Sequence, residues 1–354
     1  LVHLTKYPLG NREDGLDRLP PRIIRRAVLA PLGFVLTLLV LGLSPVLLIV
    51  ALLADLFLPG SWRTTRLAAF GAFYLALEAA GFIVMFALWV ASGFGMFLSS
   101  GRMIDAHYGF MRWWLRSVDR AARRFFRLRV HIEDRPTPTA GPILVFCRHA
   151  GPGNSLLLIG TLLVGYRRHP RIVMLAKLQW EPLYDIMLNR LPNRFIRHDP
   201  SRRELYLDAI TNLATGLGAH DAFVLFPEGK DFTPRVRRRA IDYLRGKGHH
   251  QAAERAEKMV HVLPPRHNGV RAALAGAPDA DVVFVAHSVL EEIGSFKDLW
   301  TRIPFDRPIL ARYWRLSPQE IPHDQEALIE WLYSWWESID RWVDERAGEM
   351  ASSG

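Results

Sequence analysis

Two long stretches without charge constrain this chain more than any other feature. Leu32 to Ala54 contains no charged residue, and Leu67 to Leu98 is interrupted only by Glu78. A helix needs about 20 apolar residues to cross a hydrocarbon core, and apolar runs this long are uncommon inside soluble domains. Arg22, Arg25 and Arg26 precede the first stretch, and Arg102, Arg112, Arg116, Arg120, Arg123 and Arg124 follow the second. The turn between them carries only Arg63 and Arg66. Positive charge at both outer ends predicts a hairpin with both ends on the cytoplasmic side. Two depths remain open, a spanning hairpin and a shallow one within a single leaflet. Pro31, Gly42 and Pro45 can bend the first helix, and Glu78 is costly at mid-bilayer unless it is paired or faces protein.

The rest of the chain is basic. Half of the 354 residues are hydrophobic, yet the formal charge is +10. That balance favours anionic partners: membrane lipids with anionic headgroups, acyl-CoA or an acidic carrier protein. The arginines flank apolar spans and no nucleic-acid module is present, so nucleic acid is not an expected partner. One cysteine, Cys147, excludes an internal disulfide and a cysteine-rich zinc site. His249, His250, His261 and His267 lack ligand spacing, so no metal and no resident cofactor are expected.

The organisation reads in five parts. Residues 1–26 are a basic cytosolic lead-in without the order of a signal peptide, and 27–100 hold the two hydrophobic membrane helices. Residues 101–129 mix Met111, Trp113, Trp114, Phe125 and Phe126 with arginines, as expected of a basic interfacial helix or of one packed on the next domain. Residues 130–310 alternate strand and helix patterns, an α/β domain. Its expected strands are Ile143 to Cys147, Ile172 to Leu175, Phe223 to Phe226 and Val282 to Ala286, with helices over Ser201 to Leu217 and Gln251 to Val260. Residues 311–354 form a C-terminal amphipathic helix and tail, in which Leu328, Leu332, Trp335, Ile339 and Trp342 recur at helical spacing after the N-cap candidate Asp324.

Chemistry concentrates where the Ile143 to Cys147 strand ends. Arg148 and His149 follow it and enter a Gly151-Pro152-Gly153 turn, and Asn154 or Ser155 can cap the helix beyond. A second strand, Phe223 to Phe226, runs into Pro227-Glu228-Gly229-Lys230. Both places lie at the carboxyl ends of strands, where open α/β sheets bind ligands. Cys147 could act as an acyl-carrying nucleophile, although a lone buried cysteine is more often packing.

These residues resemble the glycerolipid acyltransferase family, in particular the lysophosphatidic acid acyltransferases, over residues 140–290. The family's first motif is a histidine and an aspartate separated by four residues; here it reads His149 and Asn154, with the acid changed. Phe226-Pro227-Glu228-Gly229 matches the third motif intact, and Arg194-Phe195-Ile196-Arg197 matches the second loosely. Lys177 resembles a family lysine ahead of a glutamate and a proline, here Glu181-Pro182. The Val282 to His287 strand keeps the hydrophobic character of the fourth motif without its proline.

The resemblance implies an α/β, glycerolipid-acyltransferase-like catalytic domain behind an N-terminal two-helix membrane hairpin. It implies that a fatty acyl group moves from acyl-CoA or acyl carrier protein, as co-substrate, to a lysophospholipid hydroxyl, most simply converting lysophosphatidic acid to phosphatidic acid. His149 would be the general base, and Asn154 stands where its orienting carboxylate belongs. Arg148, Lys177, Arg197, Glu228, Gly229, Lys230 and Arg235 are the expected substrate-binding residues. Arg237, Arg238, Arg239 and Arg266 are further candidates for an anion. An asparagine beside a catalytic histidine costs about ten-thousand-fold in a serine-protease triad, so an attenuated or inactive enzyme is expected. The alternatives are an acyltransferase for glycerol 3-phosphate or a glycolipid headgroup, and a non-catalytic lipid-binding membrane protein on the same fold.

Overall fold

The computed structural model describes residues 19–133, 140–151, 153–196, 203–288 and 296–352. Helix α1 (Arg22–Asp55) contains a π-helical segment at Arg25–Leu29 and Pro45 in its interior. Helix α2 (Arg63–Ala91) returns along it, and α3 (Gly101–Phe126) follows. Asp55 closes the turn between the first two by accepting the N–H groups of Thr64 (3.1 Å) and Thr65 (2.7 Å). These are donors that the start of any helix leaves without an internal partner.

Helix α2 is attached to the domain at both ends. Near its start Arg63 Nε donates to the Ile303 carbonyl (2.9 Å) and Trp300 Nε1 to Thr64 Oγ1 (3.2 Å). Further along, the Phe70 and Phe126 rings meet at 4.5 Å and the Tyr74 and Tyr184 hydroxyls at 2.8 Å. Near its end Arg190 Nη1 donates to the Met85 carbonyl (2.7 Å). The helix between these ties covers about 33 Å at 1.5 Å per residue, longer than a hydrocarbon core of about 30 Å. By length and composition both helices are candidate membrane spans. Helix α2 runs along the domain's flank, and α1 packs beside it, with Phe34 against Phe82 at 5.6 Å. Gly81 allows the close approach to the domain, since a Cβ there would lie 2.6 Å from the Leu183 side chain. Leu39 (61% exposed) and Phe57 (89%) remain on the outer surface.

A seven-stranded sheet carries the domain: β1 (Val130–Glu133), β2 (Ile143–Cys147), β3 (His169–Leu175), β4 (Arg194–Ile196), β5 (Asp221–Leu225), β6 (Asp281–His287) and β7 (Ile309–Leu316). Their order is β1-β7-β6-β2-β5-β3-β4. Strands β2 to β6 are parallel, β7 is antiparallel to β6, and β1 is parallel to β7. All five residues of β2 are buried, as a continuous apolar run in the middle of a parallel sheet requires. Strand β7 was not legible as a strand because Arg312 and Arg315 interrupt its apolar residues, and a domain boundary at 310 falls inside it.

The helices cover both faces. Ile143, Val145 and Cys147 point toward α3, α4 (Asn154–Gly165) and α5 (Pro182–Leu188), in a core that also takes Leu77, Phe82 and Met85 of the hairpin. Helix α3 buries Tyr108, Met111, Trp114 and Leu115 there, so it is a packed helix of the domain. Leu144 and Phe146 point the other way, toward α6 (Arg203–Ala214), α7 (Pro234–Gly246), α8 (His250–Lys258), α9 (His267–Gly276) and α11 (Gln325–Ser352). The short α10 (Phe296–Arg302) lies beside the start of α2. Asp324 caps α11 by accepting from Glu326 N (2.9 Å) and Ala327 N (3.0 Å). That helix buries Leu328, Leu332, Ile339 and Trp342, together with Trp336, which completes the stripe one position from Trp335.

Candidate active site

The ends of β2 and β5 bring the histidine and Phe-Pro-Glu-Gly segments together. The His149 N–H donates to Glu228 Oε2 (3.3 Å), the Phe232 N–H donates to the His149 carbonyl (2.7 Å), and the His149 ring stacks on Phe226 at 4.5 Å. Three contacts from one loop therefore hold His149, two at its backbone and one at its ring. Its Nδ1 lies 3.0 Å from Asp231 Oδ1, off the direction of a good hydrogen bond. Burial lowers the His149 pKa, the charge of Asp231 raises it, and that of Lys177 lowers it. The ring is thus biased to be neutral near pH 7, the form in which a nitrogen can accept a proton.

Asn154 does not reach the imidazole. It is the first residue of α4 and caps nothing; its Nδ2 donates to the Arg148 carbonyl (2.7 Å) and its Oδ1 lies 3.8 Å from Cys147 Sγ. The carboxylate beside His149 is Asp231, which the sequence reading did not single out. One signal could have found it: Asp231 is the first acid after Phe226-Pro227-Glu228-Gly229, at the same end of the sheet as His149.

Arg148 and Glu228 were expected to bind substrate, and the structure buries both. Arg148 has no exposed surface, and its guanidinium donates to the carbonyls of His287 (2.5 Å) and His261 (2.7 Å). Glu228 is 2% exposed, and it accepts Trp336 Nε1 (3.1 Å) besides the His149 N–H. Burial pushes its pKa up to about 8, against the pull of Arg148 and of these N–H donors. Both residues form the floor beneath His149 and are absent from the lining of the cavity in front of it. Cys147 is fully buried, and its thiol pKa is raised by burial and by Glu228, which disfavours the thiolate a nucleophile needs.

A cavity of about 660 Å³ opens in front of the histidine. Its polar part is lined by His149, Lys177, Gly229, Lys230, Asp231 and Arg266. Gly229 has φ +67°, and a Cβ there would stand 3.2 Å from the Arg266 guanidinium, so this position brings backbone and cation together. The apolar part is walled by Met111, Trp114 and Leu115 of α3, Ile159 of α4, and Met187 and Leu188 of α5. Ser155, a candidate cap, lines the cavity instead. Arg235 is exposed on α7 and lies outside the lining. Arg237 is occupied by the carbonyls of Met259 (2.6 Å) and Glu257 (2.7 Å). Arg197 falls outside the described residues.

No protein-family model and no curated protein matches this sequence. Among solved structures, the chain is similar to the 1-acyl-sn-glycerophosphate (LPA) acyltransferase PlsC from Thermotoga maritima. The identity is 15% over 77% of this chain and 96% of that one, with a TM-score of 0.43. The chemistry open to this protein follows from its own cavity, in which a largely neutral imidazole and a nearby carboxylate share the lining with cations and apolar side chains.

Proposed function

We propose that this protein is a membrane-associated acyltransferase. It moves a fatty acyl group from a thioester donor, acyl-CoA or an acyl carrier protein, to a hydroxyl of a lysophospholipid, with lysophosphatidic acid as the acceptor that best suits the cationic rim. The observation that carries this reading is that His149 lines one cavity together with three cations and an extensive apolar wall. A substrate with a phosphate and an acyl chain needs both kinds of lining around its ester-forming centre.

The steps follow from general acid and base chemistry. His149 Nε2 takes the proton of the acceptor hydroxyl as its oxygen attacks the thioester carbonyl. Asp231 stabilises the imidazolium that forms. The tetrahedral intermediate collapses with cleavage of the carbon–sulfur bond, and the imidazolium returns its proton to the departing thiolate. Lys177, Lys230 and Arg266 supply positive charge for the phosphate and for the developing oxyanion.

The hairpin supports the membrane part of the reading. Its ties to the domain at both ends favour a hairpin lying in one leaflet, with the domain on the cytoplasmic side as the flanking arginines indicate. Helix α3 joins the hairpin and also walls the cavity, so an acyl chain can enter from the lipid phase.

The test is release of free thiol from acyl-CoA in nanodiscs with lysophosphatidic acid, glycerol 3-phosphate or a glycolipid as acceptor. His149→Ala should abolish transfer. Transfer that survives this change would remove His149 as the base, and no transfer to any acceptor while lipid still binds would replace the enzyme reading with the non-catalytic one. That second reading rested on Asn154, and the carboxylate of Asp231 weakens it.

A further inference from the structure

The junction between the hairpin and the domain gathers arginines from two distant parts of the chain. Arg22, Arg25 and Arg26 stand on the first turns of α1, and Arg190 follows α5. Among the described residues a single carboxylate meets them. Asp185, 1% exposed, lies 2.9 Å from Arg25 and 3.6 Å from Arg26, and it also accepts from Gln179 (3.1 Å) and Asn189 (3.0 Å). Arg190 is held by the Met85 carbonyl and by His107 Nε2 at 3.4 Å. His107 adds no negative charge and, with Nδ1 on the Met103 carbonyl (2.6 Å) and a pKa lowered by burial, no positive charge either.

The charges here do not balance. Four guanidinium groups less one carboxylate leave three positive charges among the described residues. Burial and the charges of Arg26 and Arg22 push the Arg190 pKa down to about 10, and no acid opposes them. The buried Nε atoms of Arg25 and Arg190 have no hydrogen-bond acceptor, that of Arg26 faces Asp185 Oδ2 only at 3.6 Å, and Arg22 is exposed beside them. Grouped, half-buried cations with unused donors are costly unless an anion completes them. The same turns of α1 expose Ile23 (79%) and Val28 (55%), so the cluster lies where an apolar surface meets a polar one. That is the depth of the phosphates in a lipid headgroup layer. None of the four arginines lines the cavity of His149.

We propose that Arg22, Arg26 and Arg190 form a binding site for a phosphate group at the membrane-facing edge of the protein, separate from the site of acyl transfer. Guanidinium groups suit this ligand because their donors match two phosphate oxygens at once. The phosphate belongs to an anionic lipid headgroup or to a soluble phosphate. The proposal does not depend on catalysis.

The experiment is flotation of the full chain with phosphatidylcholine vesicles, with and without phosphatidylglycerol. It compares Arg190→Glu, Arg22→Glu and, as a charge-matched control at an exposed position of α8, Lys258→Glu, with Arg190→Gln as the milder site variant and thermal melting to confirm folding. The two charge-reversed site variants should each lower partitioning onto anionic vesicles about five- to tenfold, and the control about twofold or less. Calorimetry with inorganic phosphate separates the sources. A heat lost in Arg190→Gln assigns the site to a soluble phosphate, and loss on vesicles alone assigns it to a headgroup. Equal losses in all three charge-reversed variants would reduce the effect to net charge and overturn the proposal, as would no loss in the site variants. Binding that emerges only after removal of residues 1–18, which carry Glu13, Asp14 and Asp17, would make the chain's own acids the occupant and would also overturn it.

Discussion

His149 Nδ1 lies 3.0 Å from Oδ1 of Asp231, a residue on the turn after β5 and not on the turn that carries the histidine. The carboxylate beside His149 therefore comes from a different strand end. Two substitutions follow. Asp231→Asn should lower kcat by about one to two orders of magnitude, less than the loss of a buried, hydrogen-bonded triad carboxylate, because Asp231 is half exposed. Asn154→Asp should not raise it, because a buried charge would then face the Arg148 carbonyl in place of the amide that donates to it. Thiol-release kinetics on the two variants decide between the acids.

The pH profile carries the same relationship. Burial holds the His149 pKa below 6.5 and Asp231 pulls it upward. The protonated ring cannot act as base, so kcat/KM should rise with pH through an inflection below 6.5 and then level. In Asp231→Asn the raising charge is gone, and the inflection should move to lower pH as the plateau falls. A profile unchanged in position would remove Asp231 from the role given to it.

Glu228 and Trp336 test the floor of the site. Trp336→Phe removes the indole N–H and leaves Glu228 Oε1 without that donor in a fully buried place. A cost of about 1–3 kcal/mol is expected from denaturant unfolding. Activity should fall too, since Glu228 also holds the His149 backbone.

Gly229→Ala probes the cation at the cavity rim. The backbone at φ +67° disfavours a Cβ by about 1–2 kcal/mol, and the Arg266 guanidinium at 3.2 Å must move. The expected signature is a raised KM for phosphate-bearing acceptors with a smaller change for an uncharged one.

Stability should depend on pH through the contact between hairpin and domain. Burial, helped by the neighbouring Glu78, pushes the Glu181 pKa up to about 7, although the Leu183 and Tyr184 N–H groups it caps pull the other way. An acid whose folded pKa exceeds its unfolded value holds its proton more tightly when folded. Its contribution is complete below the unfolded value near 4.5 and is lost as pH rises through about 7. Melting temperatures measured across this window should fall. Glu78→Gln should flatten the decline, because an amide can donate to the ionised Glu181.

What the sequence determined by itself was local. The apolar run Ile143 to Cys147 needs a place inside a sheet whichever neighbours it finds, and Leu32 to Ala54 needs an apolar surrounding whichever way it lies. Periodicity along α11 likewise marked Leu328, Leu332, Ile339 and Trp342 for burial, because side chains on one helix face share one fate. The tertiary structure decided everything that depends on two distant segments meeting. It paired His149 with Asp231, turned Arg148 and Glu228 inward, and laid α2 along the domain by ties from Ile303, Trp300 and Arg190. The physical reason is that charge, burial and reach are properties of a place. Sequence spacing reports a residue's neighbours along the chain, whereas the strand order brings the ends of β2 and β5 side by side and so chooses which acid stands beside His149.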